Sequence, residues 1–389
     1  MQSTWYESLN KTSQPSTTTE HRSRFSSSLP LRSSMDARMS PPVKSVSTDR
    51  KMVQERAEAG EAPLTDYIFF KESQHPLDAP PPQPLTAPLA VVHLGQPDEA
   101  EVIKTALQSW GMFQVVDHGM APSFLDELRD VARAFFKLQM EEKQKYSNIR
   151  DGQFGQEGYG NDEVIVEGQI LDWTDRLYLL VQPEDARKLE LWPTNPNSLR
   201  DILHEYTMNT KKLVEKVLKT TAKSLELNED FFVSHLGDKF TIFARFNYYP
   251  CCSKPDLVFG LKPHTDGSLI TVILPDKDVE GLQVMKDGEW ITVTTSPHAL
   301  IFNIGDQMEI MSNGIFKSPV HRVVTFSDKD RISIAMFCSN LPEKVIGPAD
   351  ELVNDMRPRM YKNLKVKDYL EVFIQRFLQG KRAIDWAQV

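Results

Sequence analysis

Cysteines, long apolar runs and excess positive charge are all missing or scarce in this chain. Three cysteines in 389 residues are too few for a disulfide framework, which argues against a small secreted scaffold and predicts a reducing compartment such as the cytoplasm. No apolar run approaches the ~18 residues that cross a bilayer, so no membrane anchoring is expected. The 45 Lys and Arg against 54 Asp and Glu give a net charge of −9, which argues against nucleic acid as a partner.

The first 52 residues differ from the rest in composition. They are rich in Ser and Thr, hold eight Lys and Arg against four Asp and Glu, and lack apolar periodicity. This composition predicts a disordered extension. One interpretation is a plastid transit peptide, and the other is a dispensable extension ahead of a later start such as Met35 or Met52. The acidic residues Glu7, Glu20 and Asp36 interrupt the acid-poor pattern of transit peptides and favour the extension.

Prolines and apolar periodicity divide the remaining chain. Pro80 to Pro82 and Pro84 predict a stiff connector, after which Leu89 to His93 looks like the first strand of the folded unit. Helical periodicity recurs further along, at about residues 98–109, 122–145, 199–225 (after a Ser198-x-x-Asp201 capping pattern) and 367–379. The predicted segments are an extension over 1–52, a linker over 53–87, a helical and strand region over 88–235, a barrel over 240–342 and a helical segment over 343–389.

The region between residues 269 and 337 has the pattern of short strands separated by turns. Asp287-Gly288 suits a tight hairpin, and Asn313-Gly314 marks another turn. The predicted strands are Leu269 to Leu274, Gly281 to Met285, Glu289 to Val293, Ala299 to Ile304, Val320 to Thr325, and Arg331 to Phe337. With the helices elsewhere, this pattern predicts an α+β protein built on a β-barrel or jelly roll.

Three residues on or beside these strands form a candidate iron site. His264 and Asp266 belong to a His-Thr-Asp triplet, in which strand alternation turns both to one side, and His321 follows from a later strand. Two imidazoles and one carboxylate on one face of Fe(II) leave adjacent positions open for a co-substrate and dioxygen. Further along, Arg331 and Ser333 form an Arg-x-Ser pair that suits a carboxylate.

In these motifs the chain resembles the plant-type iron(II)/2-oxoglutarate-dependent oxygenases, a family that includes flavonol synthase, anthocyanidin synthase and alkaloid demethylases. The resemblance covers about residues 88–380. Its landmarks, in order, are Trp110 to Val115, His118-Gly119, Arg245 to Pro250, His264-Thr265-Asp266, Gly281 to Val284, Gly305-Asp306, Ser312 to Gly314, His321 to Val323, and Arg331 to Ser333.

The resemblance implies a fold, a reaction and a set of site residues. The fold is a double-stranded β-helix, or jelly roll, with supporting helices. The reaction uses Fe(II), 2-oxoglutarate and dioxygen, with ascorbate as reductant, and yields succinate and carbon dioxide while a small molecule is hydroxylated, demethylated or desaturated. The implied ligands are His264, Asp266 and His321 for iron, and Arg331, Ser333, Tyr249 and Asn247 for 2-oxoglutarate.

For the substrate, only a broad class is expected, a specialised metabolite or a hormone-like small molecule. Phe337 lies on the predicted strand face of Arg331 and Ser333, Arg245 lies two residues before Asn247, and Tyr159 belongs to a glycine-rich region that lines the pocket in relatives. A monomer is expected. Three alternatives remain open: an ascorbate-using oxidase independent of 2-oxoglutarate, a zinc hydrolase with the same ligands, and a silent binding protein of the same fold.

Overall fold

The computed structural model describes residues 51–69, 85–162, 164 and 169–389. Residues 1–50 of the extension predicted over 1–52, and the proline connector at 80–84, lie outside the described residues. In the part described, no helix is both long and apolar enough to cross a membrane.

Eight α-helices lie in the described ranges, and three of them begin and end close to the predicted positions. They are α1 (Val53–Glu58), α2 (Glu99–Ser109), α3 (Pro122–Phe136), α4 (Met140–Gln144), α5 (Leu199–Ser224), α6 (Phe231–Leu236), α7 (Asp306–Met311) and α8 (Val366–Leu378).

Two details of the helix prediction are wrong. The single helix expected over 122–145 is broken into α3 and α4, because Gln139 takes an extended backbone with ψ 150°. Lys143 Nζ then donates to the free Phe136 carbonyl at 2.9 Å and satisfies the end of α3. The capping pattern at the start of α5 forms no side-chain bond, since Ser198 itself is near-helical with ψ −7°.

Seventeen strands lie in the part of the chain that the structure describes. They are β1 (Leu85–Pro88), β2 (Val91–His93), β3 (Met112–Val116), β4 (Ile149–Arg150), β5 (Gln153–Phe154), β6 (Gly158–Gly160), β7 (Asp175–Gln182), β8 (Thr241–Tyr249), β9 (Phe259–His264), β10 (Ile270–Leu274), β11 (Leu282–Lys286), β12 (Glu289–Thr294), β13 (Leu300–Ile304), β14 (His321–Val324), β15 (Arg331–Ser339), β16 (Val345–Ile346) and β17 (Leu364–Lys365).

Two large sheets build the barrel. One has eight strands in the order β2-β3-β13-β10-β15-β8-β7-β6, and the other has five in the order β1-β12-β11-β14-β9. A shared apolar cluster joins their inner faces, with Ile273, Ile301 and Ala335 from the first sheet packed with Leu261 and Val284 from the second. Two sheets packed face to face with largely antiparallel pairing confirm the predicted jelly-roll core.

The other face of the eight-stranded sheet is covered by helices. Ile334 and Met336 of β15 are buried in the largest apolar cluster together with Leu203, Val214 and Val217 of α5. Because side chains alternate along a strand, each strand of the eight-stranded sheet has two sets of residues. One set faces the helices and is here called the outer face, and the other faces the barrel interior and is here called the inner face.

Part of the predicted linker over 53–87 is folded onto the barrel. Val53 and Tyr67 are fully buried, and the Tyr67 ring meets Trp173 edge-on at 5.3 Å. The backbone N–H groups of Val53 and Gln54 donate to the Asp175 carboxylate, both at 2.9 Å. The linker assignment is wrong for residues 53–69 because these apolar and hydrogen-bonding contacts come from residues far away in sequence. Strand β1 also belongs to the fold, as a parallel partner of β12.

Candidate active site

The strand register brings the three candidate iron ligands together. His264 ends β9, His321 begins β14, and these two residues are direct partners in the antiparallel pair. Their ring centroids lie 4.2 Å apart. Asp266 follows two residues after His264, and its Oδ1 lies 3.7 Å from Nε2 of each histidine. The three candidate ligand atoms lie within 4.8 Å of one another.

Backbone carbonyls fix the orientation of both imidazoles. His264 Nδ1 lies 2.8 Å from the Lys262 carbonyl, and His321 Nδ1 lies 3.1 Å from the Pro319 carbonyl. Because a carbonyl only accepts, each Nδ1 carries the proton and each Nε2 presents its lone pair toward Asp266. Burial, together with the neighbouring His321, lowers the pKa of His264 to about 3. That imidazole is therefore neutral at pH 7, which is the form that binds a metal.

The Asp266 carboxylate is held by two residues that the sequence analysis missed. Its Oδ2 accepts from Thr271 Oγ1 and from Asn303 Nδ2, each at 2.6 Å. Burial opposes ionisation, but the two histidines and these hydrogen bonds outweigh it, so the pKa of Asp266 is lowered. Oδ1 is left to face the histidines. Thr271 and Asn303 are polar residues inside otherwise apolar strands, and that feature is the sequence signal that marks them.

The loop after β9 is compressed against α7. A Cβ at Gly305 would collide with the Ser268 carbonyl oxygen, so only glycine fits there. The Asp306 backbone N–H donates to the Asp266 carbonyl at 2.7 Å. This close approach fixes the backbone that carries the candidate ligand Asp266.

The C-terminal helix α8 packs on the same loop from outside. A Cβ at Gly267 would come within 3.0 Å of the Phe373 ring. One turn further along α8, Phe377 meets the His264 ring edge-on, with centroids 5.4 Å apart and an interplanar angle of 80°. Helix α8 therefore limits the access of water to the imidazoles.

A buried arginine, Arg331, begins β15 and lies on the inner face of the eight-stranded sheet. Arg331 is 3% exposed and pairs in register with Tyr249, whose ring lies 5.3 Å from the guanidinium carbon. Neither Nε nor Nη1 of Arg331 has a hydrogen-bond partner among the described residues. Burial lowers the pKa of this guanidinium, which stays a cation because its ordinary value is so high. Burying such N–H donors costs free energy unless they donate to a hydrogen-bond acceptor.

The remaining predicted co-substrate residues line the same inner face. Ser333 pairs in register with Asn247, whose Nδ2 donates to Ser333 Oγ at 3.3 Å. Arg245 Nε in turn donates to Asn247 Oδ1 at 2.7 Å, which fixes the amide. The structure therefore brings Asn247, Tyr249, Arg331 and Ser333 together on two adjacent strands.

Two of the three predicted substrate residues also face the barrel interior. Phe337 is half-buried on the inner face, with Tyr178 at 6.3 Å and Phe377 in the same apolar cluster. Arg245 lies beside Asn247, and its Nη2 is 3.7 Å from Asp162 Oδ2.

The third predicted substrate residue, Tyr159, points the other way. Strand β6 pairs with β7, and Tyr159 is opposite Leu177, which belongs to the outer face. The Tyr159 ring is 1% exposed and packs edge-on against Phe135 of α3, with centroids 5.8 Å apart. Tyr159 is therefore a packing residue, and its assignment as a substrate residue is wrong because strand alternation turns it toward the helices.

Comparisons with known proteins agree with the architecture. The profile of the 2OG-Fe(II) oxygenase superfamily matches residues 240–340, and a profile described as non-haem dioxygenase in morphine synthesis N-terminal matches residues 88–195. Jasmonate-induced oxygenase 4 of Arabidopsis thaliana is 38% identical over 293 residues, which cover 75% of this chain and 82% of the relative. Codeine O-demethylase of Papaver somniferum is 38% identical over 291 residues, with coverages of 75% and 80%.

A solved structure extends the likeness to three dimensions. The crystal structure of JOX2 in complex with 2OG, Fe and JA superposes with a TM-score of 0.79 at 34% identity, covering 87% of this chain and 98% of that one. Profiles, relatives and superposition together span both the helical region and the barrel. The chain belongs to the 2OG-Fe(II) oxygenase superfamily and is a 2-oxoglutarate-dependent dioxygenase.

Proposed function

We propose that His264, Asp266 and His321 hold the ferrous ion of this dioxygenase. The observation that carries the proposal is the position of Asp266 Oδ1, which lies 3.7 Å from both Nε2 atoms while Oδ2 is occupied by hydrogen bonds. Two neutral imidazoles and one carboxylate with free lone pairs suit Fe(II) and leave positions open for other ligands. The donor set therefore fits the metal of the superfamily.

The proposal assigns 2-oxoglutarate to the adjacent strands. Nε and Nη1 of the buried Arg331, which have no hydrogen-bond partner among the described residues, fit a carboxylate, because guanidinium and carboxylate match as a planar fork. Ser333 and Tyr249 contribute hydroxyl groups beside it, and Asn247 lies next to Ser333 on β8. When bound, iron and 2-oxoglutarate would supply the oxidising chemistry, in which one molecule of dioxygen is the oxidant both for the conversion of 2-oxoglutarate to succinate and carbon dioxide and for the oxidation of the substrate.

The chain's own contribution is orientation and exclusion of water. The carbonyls of Lys262 and Pro319 hold the imidazoles, Thr271 and Asn303 hold Asp266, and α8 covers the His264 side. A covered site of low dielectric constant strengthens these interactions and limits side reactions with water. Each of these residues orients a candidate iron ligand or limits the entry of water, and none of them is itself oxidised or reduced.

We propose a specialised metabolite or hormone-like small molecule as the substrate, which is hydroxylated, demethylated or desaturated. The names of relatives support this range, since one is a codeine O-demethylase and the JOX2 crystal structure contains JA beside 2OG and Fe. The half-buried Phe337 offers an aromatic surface to such a molecule. We further propose ascorbate as reductant, a monomer, and a reducing cytoplasmic location that suits the free Cys251, Cys252 and Cys338.

The test is succinate formation from labelled 2-oxoglutarate with Fe(II), ascorbate and oxygen, across phenolic, terpenoid and alkaloid candidates. We expect substrate-stimulated succinate from the wild type and only background from His264→Ala. His93→Ala is the matched control, since the His93 side chain is 54% exposed on the surface. Arg331→Lys keeps the charge but loses the fork, so the KM for 2-oxoglutarate should rise about tenfold or more.

Two results would contradict the proposal. Equal succinate from wild type and His264→Ala would remove the iron assignment. An unchanged KM for 2-oxoglutarate in Arg331→Lys would remove the co-substrate assignment. Circular dichroism and a urea titration of each variant separate a lost ligand from a lost fold.

A further inference from the structure

The loop that follows β9 and carries Asp266 spans residues 265–268 and is here called the ligand loop. The first turn of α7 holds its backbone. The Asp306 N–H donates to the Asp266 carbonyl at 2.7 Å, and Gln307 Nε2 donates to the Gly267 carbonyl at 2.8 Å. Because hydrogen bonds are directional, the position of α7 determines where the ligand loop, and with it the candidate ligand Asp266, lies.

Helix α8 covers the ligand loop and His264 with a stretch that is incompletely buried. Phe373 packs on the loop, and Phe377 packs on the His264 ring. Among the α8 residues between Tyr369 and Leu378, all of which the structure describes, none is fully buried. Apolar contacts are not directional, so the two phenyl rings alone do not set how α8 is placed over the site.

Tyr369 gives α8 a directional contact. It lies fully buried in the first turn of the helix, and its Oη donates to Asp306 Oδ2 at 2.5 Å. Thr265 Oγ1 of the ligand loop donates to the same oxygen at 3.2 Å, and Asp306 Oδ1 has no partner among the described residues. Asp306 is fully buried, and leaving a buried acceptor without donors costs free energy. Its side chain therefore connects α8 to the ligand loop through two hydrogen bonds.

We propose that Tyr369 is a positioning residue for the iron site, which acts through Asp306 to fix α8 over His264 and the ligand loop. The inference rests on the proposed function and adds a residue to it. Two hydrogen bonds in series run from the Tyr369 hydroxyl to the Asp266 backbone, one to Asp306 Oδ2 and one from the Asp306 N–H. With this connection in place, α8 limits the entry of water to the imidazoles, and Asp266 keeps its position.

A second tyrosine that bonds to α7 provides a matched control. Tyr361 is also fully buried, and its Oη donates at 2.6 Å to Glu309 Oε1, three residues after Asp306 on the same helix. Glu309 also accepts from Lys317 Nζ at 3.1 Å and from the Ser318 N–H at 2.7 Å, and neither donor belongs to α8 or to the ligand loop. Tyr361→Phe therefore removes the same kind of hydrogen bond without releasing α8.

The first experiment measures how fast iron leaves the protein. Each protein is loaded anaerobically with Fe(II) alone, and an excess of a chelator that becomes coloured with Fe(II) reports the release. We expect Tyr369→Phe to release Fe(II) about tenfold faster than the wild type, the range for losing a partner that orients a metal ligand. Tyr361→Phe should release it at the wild-type rate. A general loss of packing around α7 would affect both variants, because each loses a buried hydroxyl there.

The second experiment needs no metal. Hydrogen exchange of the metal-free proteins, followed by mass spectrometry, compares the backbone amides of α8 in the wild type and in the two variants. These amides should exchange about tenfold faster in Tyr369→Phe, because a hydrogen bond that anchors the helix is lost. In Tyr361→Phe they should exchange at the wild-type rate, because α8 can open without breaking the bond between Tyr361 and Glu309.

Three results would overturn the role of Tyr369. They are release of Fe(II) from Tyr369→Phe at the wild-type rate, unchanged exchange of the α8 amides in that variant, and equal effects in the two tyrosine variants. Failure of the proposed function is seen separately, in a wild type that binds Fe(II) no more tightly than His264→Ala. That result would overturn the iron assignment as a whole, whereas normal Fe(II) binding with no difference between the variants would overturn the role of Tyr369 alone.

Discussion

The two faces of the eight-stranded sheet are built from alternate residues of the same strands, yet they differ in how completely they are satisfied. On β15 the outer residues Ile332, Ile334 and Met336 are at most 1% exposed and sit in the largest apolar cluster. The inner residues Arg331 and Ser333 are almost as buried, but they are polar. The outer face is filled by the protein itself, whereas the inner face is left incomplete.

The unsatisfied groups show what the inner face lacks. Two guanidinium nitrogens of Arg331, Nε and Nη1, and one of Arg245, Nη2, have no hydrogen-bond partner among the described residues. Groups of this kind are rare in folded proteins and mark sites where something else binds. Alternate residues of one strand therefore have different surroundings: the outer residues pack the sheet against the helices, and the inner residues are the ones proposed to bind ligands.

The largest expected contrast comes from neighbouring residues on β15. Ile334→Ala should lower the free energy of unfolding by about 2–5 kcal/mol, because it leaves a cavity in the outer core, and should leave the KM for 2-oxoglutarate unchanged. Ser333→Ala should lower the free energy of unfolding by about 1 kcal/mol or less and raise that KM several-fold. Urea denaturation and the succinate assay measure both quantities. The separate roles of the two faces would be contradicted by either of two results. One is a changed KM for 2-oxoglutarate in Ile334→Ala, and the other is a loss of unfolding free energy in Ser333→Ala as large as that in Ile334→Ala.

The carboxylate of Asp175 lies among apolar residues of the outer face, and its ionisation tests how that face contributes to stability. It precedes Leu177 by two residues on β7, and burial raises its pKa to about 6 against the two N–H groups that α1 donates. Because the folded protein holds this proton more tightly than the unfolded chain, stability is greatest below about pH 4 and falls as pH rises through 6. At about 1.4 kcal/mol per pKa unit, the loss is about 3 kcal/mol.

The measurement is urea denaturation of the wild type and of Asp175→Asn at several pH values from 4 to 7. The variant cannot ionise at this position, so the difference in free energy of unfolding should change by about 3 kcal/mol across that range and then level off. Parallel curves would show that Asp175 has the same pKa in both states. The contact between α1 and β7 would then be independent of pH.

The barrel and its helices were predictable because they depend on local periodicity. Helix α5 begins and ends within one residue of the predicted range, and β10 to β15 follow the predicted strands. The positions of His264 and His321 as direct strand partners depend on register, which no local pattern states. Their grouping came from the order of motifs and from the chemistry that two imidazoles and a carboxylate share.

The sequence-based predictions are wrong where contacts with residues distant in the sequence determine where a side chain lies. The resemblance predicts that Tyr159 lies in a region lining the pocket, but the pairing of β6 with β7 turns it to the outer face. The linker assignment missed Val53 and Tyr67, whose burial depends on Trp173 and Asp175 more than 100 positions away. The polarity of Thr271 and Asn303 marks them within apolar strands, but their role depends on the carboxylate of Asp266, which only the folded structure brings next to them.

Thr271 gives the smallest and sharpest test of the inner face. Thr271→Val keeps the shape of the side chain but removes the hydroxyl that donates to Asp266 Oδ2 at 2.6 Å, while Asn303 still donates. Losing one of two supports of a metal ligand should weaken Fe(II) binding about tenfold, with little effect on stability. Thr271→Ser retains the hydroxyl and should bind iron as the wild type does, which separates the hydrogen bond from packing. Equal Fe(II) affinity in all three proteins, measured by anaerobic titration, would mean that Asn303 alone orients Asp266.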